Sequence, residues 1–205
     1  MDTIVLASAS PRRRELLESV RVPFRAVPPR GEEDNRVEGD AAVLVRRLAM
    51  QKARSVLPLL DGTERWILGV DTVVEVDGRI LGKPRDRADA EAALRLLAGR
   101  VHRVHTGLAL LCTDPGREDW ETARTEVKFR PMSGEEIGFY LDSGEWDGVA
   151  GSYRIQERGA FFVEWIHGSY SNVVGLPLEA FYGILIRNRY PLIPPKGGQT
   201  HLTGT

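Results

Sequence analysis

From Ser8 to Arg14 the chain reads Ser-Ala-Ser-Pro-Arg-Arg-Arg. This is a turn that opens a helix, with Ser10 at the capping position and Pro11 at the first helical one. The three arginines fall in the first helical turn, where the helix dipole already places partial positive charge. A negative group is needed to balance them. The unpaired N–H groups of that turn, the serine hydroxyls and the arginine forks make an anion site, and phosphate suits it. The plainer reading is a capped helix whose arginines pair with Glu15 and Glu18 in solvent. Asp71 is the second candidate, in Gly69-Val-Asp-Thr-Val-Val74. A carboxylate set in an apolar run at a strand end needs a partner, because burying a lone charge is costly. A lysine, a set of N–H donors or a metal would serve, and the residue suits general-base work or metal binding.

Five further residues bear on the same chemistry. Glu32 and Glu33 follow the second strand, and with Asp71 and phosphate oxygens they could share Mg²⁺ if the fold brings them close. Lys52 lies on the apolar stripe of a helix with Val45 and Leu48, either snorkelling or pointing into an anion pocket. Lys83, in Gly82-Lys-Pro84, sits at a loop tip where an ammonium can meet phosphate. The surrounding glycines lack the spacing of a Walker A loop, and Pro84 stands where that loop needs Ser or Thr. Gln156 follows Ala150-Gly-Ser-Tyr-Arg-Ile155 and could read a base edge through its amide, although a plain hairpin or bulge explains the small residues. The four histidines show no ligand spacing, and His102 and His105 read as structural.

The elements that must position these groups follow from periodicity. Strands are expected over residues 4–7, 24–27 and 66–70, and a hairpin over 73–76 and 79–81 turns at Asp77-Gly78. Longer strands are expected over 101–112 and 120–129, and a last one over 161–166. Helices are expected from Pro11 to about Val20, over 41–57, over 88–98, from the Ser133–Glu136 capping box to about Asp142, and over 178–189. This irregular alternation is an α/β class. Residues 191–205, rich in Pro, Gly and Thr, read as a disordered tail.

Composition narrows the function. Lys plus Arg number 28 against 29 Asp plus Glu, a net charge of −1 that gives no general attraction to nucleic acid or to a membrane surface. One cysteine, Cys112, excludes an intrachain disulfide framework and fits a reducing, cytoplasmic setting. No apolar run approaches the roughly 18 residues a membrane helix needs. The expected partner is a small molecule rather than a nucleic acid or a membrane.

Taken in order, Leu6-Ala-Ser-Ala-Ser-Pro-Arg-Arg-Arg-Glu-Leu-Leu17, Leu48-Ala-Met-Gln-Lys-Ala53, Gly69-Val-Asp-Thr-Val-Val74, Leu81-Gly-Lys-Pro84, His102-Arg-Val-His-Thr-Gly107, Tyr153-Arg-Ile-Gln156 and Val173-Val-Gly-Leu-Pro177 resemble the Maf-like proteins. The resemblance implies a single domain over residues 1–190. Its fold would be a mixed twisted sheet flanked by helices with a central cleft, similar to the inosine triphosphatases. It implies a nucleoside triphosphate pyrophosphatase that cuts between the α- and β-phosphates with Mg²⁺ or Mn²⁺. The Asp-Thr and Ile-Gln pairs resemble the branch acting on dTTP and UTP, with modified pyrimidine triphosphates next. By position, Asp71 matches the proton acceptor and Glu33 an acidic metal or water contact, and these two form the expected metal site. Ser8, Arg12, Arg13, Lys52 and Lys83 match the phosphate-binding set, with both lysines counted as catalytic. Arg12, Thr72 and Gln156 match positions linked to substrate choice. Family members are often homodimers. One segment departs: where the family has Glu-Pro-x-Asp-Lys-Ala-Gly, this chain reads Glu145-Trp-Asp-Gly-Val-Ala-Gly151, with Trp146 for Pro and Val149 for Lys. The alternative from another class is a non-catalytic nucleotide-binding regulator linked to septum formation.

Overall fold

The computed structural model describes residues 1–30 and 39–192; Glu32, Glu33 and residues 193–205 lie outside the described residues. Seven strands make one mixed sheet in the order β2-β1-β3-β5-β6-β7, with β4 hydrogen-bonded to the far end of β3. They are β1 (Ile4–Ala7), β2 (Phe24–Ala26), β3 (Trp66–Val76), β4 (Arg79–Leu81), β5 (Val101–Cys112), β6 (Arg117–Phe129) and β7 (Val163–His167). β1 is parallel to β2 and β3, and the other pairs are antiparallel. The helices are α1 (Pro11–Ser19), α2 (Ala41–Ser55), α3 (Arg87–Leu97), α4 (Gly134–Asp142), α5 (Tyr170–Val174) and α6 (Leu178–Arg187). The expected mixed α/β class is the observed one.

Strand alternation sorts the core into layers. Ile4, Leu6, Trp66, Leu68 and Val70 point to one face and pack under α1 and α6 with Leu17, Phe181 and Ile184. Val5, Ala7 and Ile67 point to the other face and pack under α2 with Ala49 and Ala53. A third layer joins α3 and α4 to the outer parts of β3, β5 and β6 around Phe129, Tyr140 and Leu94. Central strands covered on both faces read as continuous apolar runs.

Several boundaries differ from expectation, each for a local reason. β3 is one unbroken strand, not two pieces, and Asp71 lies in its middle rather than at an end. The β5 ladder continues across it, pairing Asp71 with Gly107, and backbone hydrogen bonds do not depend on side-chain polarity. β6 starts at Arg117 because Cys112 of β5 pairs there. α2 stops at Ser55 and a 3-10 turn, Leu57–Leu59, follows it, since Pro58 disfavours helix in the residue before it. The Ser133–Glu136 capping box is present as expected. The hairpin turn has Asp77 and Gly78 both at positive φ, as a type I′ turn requires. Helix α5 was not expected; its N-cap Ser169 and the fully buried Asn172, bonded to the Val104 carbonyl and to Thr125 Oγ1, secure a segment too short to show a period. Leu192, in the expected tail, packs against the core beside α6. No helix among the described residues is long and apolar enough to cross a membrane.

α2 sits unusually close to the sheet. A Cβ at Gly69 would lie 2.0 Å from the Ala49 carbonyl oxygen, and one at Gly107 would lie 2.4 Å from that of Val45. Helix backbone rests almost directly on strand backbone there. Gly107→Ala is expected to destabilise the fold by about 2 kcal/mol or more through overpacking, read as a lower urea midpoint with unchanged slope.

His102 of β5 is buried against Phe129 and Tyr153, with Nε2 2.9 Å from the Tyr153 hydroxyl. Burial pulls its imidazole from 6.5 down to about 4. The unfolded chain therefore takes up this proton first as the pH falls. The associated stability is complete above about pH 6.5 and is lost progressively toward 4. His105, also pulled down mainly by burial, acts in the same direction. Wild type should lose about 2 kcal/mol between pH 7.5 and pH 5 through His102 alone, and His102→Gln, which cannot titrate, should lose correspondingly less in paired urea titrations.

Candidate active site

The alternation of β3 places two consecutive polar side chains on opposite sides of the sheet. Asp71 follows Ile67 and Gly69 toward α2, while Thr72 turns toward α1. On the α2 side, Lys52 lies one turn beyond Leu48 and reaches Asp71, with Nζ 2.5 Å from Oδ1. The two side chains are 11% and 10% exposed, so each charge has little water and depends on the other. The lysine on the apolar stripe is thus not a snorkelling surface residue: it lines the cavity, paired with a carboxylate.

On the α1 side the organising group is Arg13. Its Nε donates to the Gly175 carbonyl at 2.9 Å, Nη1 to Ser8 Oγ at 3.1 Å and Nη2 to Thr72 Oγ1 at 3.1 Å. One guanidinium thereby ties the α1 turn, the end of α5 and the middle of β3. Thr72 Oγ1 also lies 3.0 Å from Thr106 Oγ1 on β5. Ser8 Oγ accepts from the Ser10 N–H at 3.2 Å, so Ser8 steadies the turn, whereas Ser10 occupies the N-cap without a side-chain capping bond. Successive helix residues point about 100° apart, which separates the arginine run. Arg13 is buried, Arg12 lines the cavity and Arg14 is exposed.

Both sides open into one cavity of about 370 Å³. It gathers Ser8, Arg12, Arg13, Lys52, Asp71, Thr72, Lys83 and Gln156, eight of the nine expected site residues. The ninth, Glu33, lies outside the described residues. Asp71 and Lys52 are at the buried end; Lys83 and Gln156 are exposed. The Lys83 loop is pinned to the opposite wall, where the Gly151 N–H donates to the Gly82 carbonyl at 3.1 Å.

Two lining residues, Arg154 and Asp147, were not singled out from sequence. Arg154 lies in the Tyr153–Gln156 segment, all four residues of which line the cavity, with Tyr153 and Ile155 buried, Arg154 half-buried and Gln156 exposed. Burial first, and then the neighbouring Arg154, press the Arg12 guanidinium below its ordinary value, while Glu157 and Glu15 pull it up. Asp147 adds a second carboxylate to the lining. Val149, at the lysine position of the motif, is buried and makes a patch of apolar wall. Trp146 stands where proline was expected and anchors this segment by donating its indole N–H to the Leu141 carbonyl at 2.9 Å.

Among the described residues no three His, Cys, Asp or Glu side chains cluster to hold a metal. What the cavity offers is Asp71 within a cationic pocket. That donor set fits a hard divalent ion carried in on phosphate oxygens, which needs only one or two protein carboxylates.

Residues 3–188 match the family model described as Maf-like protein. The chain is 47% identical to a dTTP/UTP pyrophosphatase of Thermococcus gammatolerans over 87% of this chain and 93% of that protein. It is 44% identical to one of Symbiobacterium thermophilum over 97% of this chain and 100% of that protein. A third similar protein, from Ruminiclostridium cellulolyticum, carries the same name at 45% identity over 90% of this chain and 95% of its own length.

The three-way bonding of Arg13 predicts a structural effect. In Arg13→Lys a single ammonium cannot span three acceptors on three elements. The substitution should cost about 2–4 kcal/mol of unfolding free energy. Undiminished stability with a raised KM would instead show that Arg13 serves the ligand alone.

Proposed function

Because this chain belongs to the Maf-like protein family, we propose that it is a nucleoside triphosphate pyrophosphatase. It hydrolyses dTTP and UTP between the α- and β-phosphates to give the monophosphate and pyrophosphate. One observation carries this reading. A single cavity holds a buried Asp71–Lys52 pair, two further cations at Arg12 and Lys83, and the open first turn of α1. That combination suits a polyanion whose reacting bond lies beside a carboxylate. The relatives at 44–47% identity, all named dTTP/UTP pyrophosphatase, support the choice of substrate.

The residues divide the work. Arg12, Lys83 and the α1 N–H groups bind the phosphates and offset their charge. Ser8 and Arg13 keep that turn in place. Lys52 fixes the orientation of the Asp71 carboxylate, which holds the attacking water and accepts its proton as oxygen adds to the α-phosphorus. The bond from that phosphorus to the bridging oxygen breaks and pyrophosphate leaves with the electron pair. Gln156 offers both a donor and an acceptor to the base, and thymine and uracil present the same pattern on their pairing edge. Mg²⁺ or Mn²⁺ held by Asp71 and phosphate oxygens, with Glu33 the other expected ligand, would supply further charge neutralisation. The setting in this reading is the cytoplasm, where nucleoside triphosphates are pooled.

The test is a panel of dTTP, UTP, CTP, dATP, GTP and modified pyrimidine triphosphates with Mg²⁺ or Mn²⁺, assaying pyrophosphate and orthophosphate separately. Pyrophosphate release led by dTTP and UTP is expected. Asp71→Asn, folded by circular dichroism, should lower kcat by about 10²–10⁴-fold. Orthophosphate as the product would place the cut elsewhere. Binding without any turnover would favour a nucleotide-sensing regulator.

A further inference from the structure

We propose that Arg154 is a phosphate-binding residue, completing with Arg12 a two-guanidinium clamp on the substrate's triphosphate. The proposal deepens the pyrophosphatase reading and rests on it for the identity of the anion. Arg154 is held firmly by its backbone and loosely by its side chain. Its N–H donates to the Tyr140 hydroxyl at 3.0 Å, and its carbonyl accepts from the Glu157 N–H at 3.3 Å. A Cβ at Gly159 would come 2.4 Å from that carbonyl oxygen, so the turn packs closely around it. Arg154, its side chain 27% exposed, lines the cavity. Its two terminal nitrogens make only long contacts, Nη1 to Glu157 Oε1 at 3.4 Å and Nη2 to the Asp147 carbonyl at 3.3 Å. Its Nε is buried with no hydrogen-bond partner among the described residues.

Such a group contrasts with Arg13, whose three short bonds satisfy protein acceptors. Long contacts leave the terminal nitrogens weakly satisfied, and a second guanidinium beside Arg12, which it presses down in affinity for its proton, is costly too. Both costs are relieved together by a ligand that brings several negative oxygens and accepts bidentate forks, as a polyphosphate does. Until then Glu157, which interacts favourably with both arginines, partly occupies the role of that anion. The arrangement makes the carboxylate a competitor of substrate rather than an aid to it. Removing the cation and removing the carboxylate must then act in opposite directions, which a simple surface ion pair would not do.

The test uses the full chain with inorganic pyrophosphate and Mg²⁺ in titration calorimetry, alongside KM and kcat for dTTP. Arg154→Gln should raise both the Kd for pyrophosphate and KM by about tenfold with kcat within a few-fold of wild type. Arg154→Lys should recover part of the loss, as a point charge without the fork. Glu157→Gln should lower Kd and KM. Unchanged Kd and KM in Arg154→Gln would overturn the proposal. So would weaker binding in both variants with a matching fall in Tm, which marks a structural strut. If wild type binds pyrophosphate and Arg154→Gln weakens it but no triphosphate is cleaved, the clamp stands and the enzymatic reading falls. If triphosphates are cleaved with KM indifferent to residue 154, the reverse holds. A wild type that neither binds nor cleaves overturns both.

Discussion

The site depends on how near α2 can come to the sheet. Lys52 and Asp71 are almost excluded from water, and such a pair is worth having only if its geometry is close. That geometry exists because Gly69 and Gly107 remove two side chains from the strand surface under the helix. Any Cβ at either position meets a helix carbonyl, which would lift α2 and with it Lys52. The glycines therefore act at a distance from the chemistry: they set the spacing that lets a lysine on one layer neutralise an aspartate on the next. A carboxylate in the middle of a core strand is tolerable because that lysine meets it.

β3 then distributes the consequences. Period-two alternation sends Asp71 to the α2 face and Thr72 to the α1 face, so one strand feeds both walls of a single cavity. Thr72 meets Arg13, and Arg13 binds the α1 turn to the end of α5. Through these few contacts the open N-terminus of α1, the strand that carries the carboxylate and the end of α5 hold fixed relative positions. Phosphoryl transfer gains mainly from positioning and charge neutralisation, and both are properties of this frame rather than of any single residue.

Much of this was legible in the sequence, and the exceptions share a cause. The apolar runs, the hairpin at Asp77-Gly78, the capping box at Ser133 and the anion-suited turn at Ser8–Arg14 are written in local residue types. Asp71 drew attention because a charge in an apolar run needs a partner, but its partner, Lys52, is 19 residues away and no spacing rule connects them. The break expected at Asp71 did not occur because the β5 ladder, a tertiary fact, carries the strand through it. α5 was invisible because five residues are too few for a helical period. Arg13 and Arg12 looked alike in the sequence, yet one is a strut and the other faces the cavity. Only the helix phase and the position of Gly175, 162 residues on, separate them.

That contrast gives a way to tell a cation that holds the fold from one that awaits a ligand. Arg13 spends its donors on a carbonyl and two hydroxyls at 2.9–3.1 Å, distances typical of settled bonds. Arg154, less buried and in the same cavity, has contacts at 3.3 and 3.4 Å and a donor with none among the described residues. Folding alone gives no reason to gather Arg12 and Arg154 on one wall, since each raises the cost of the other. Val149, where the resembling motif has a lysine, lines the same cavity with apolar surface instead. Where the protein's own acceptors leave arginines unsatisfied and close together, the missing acceptor belongs to the ligand, and its chemistry is that of a polyphosphate.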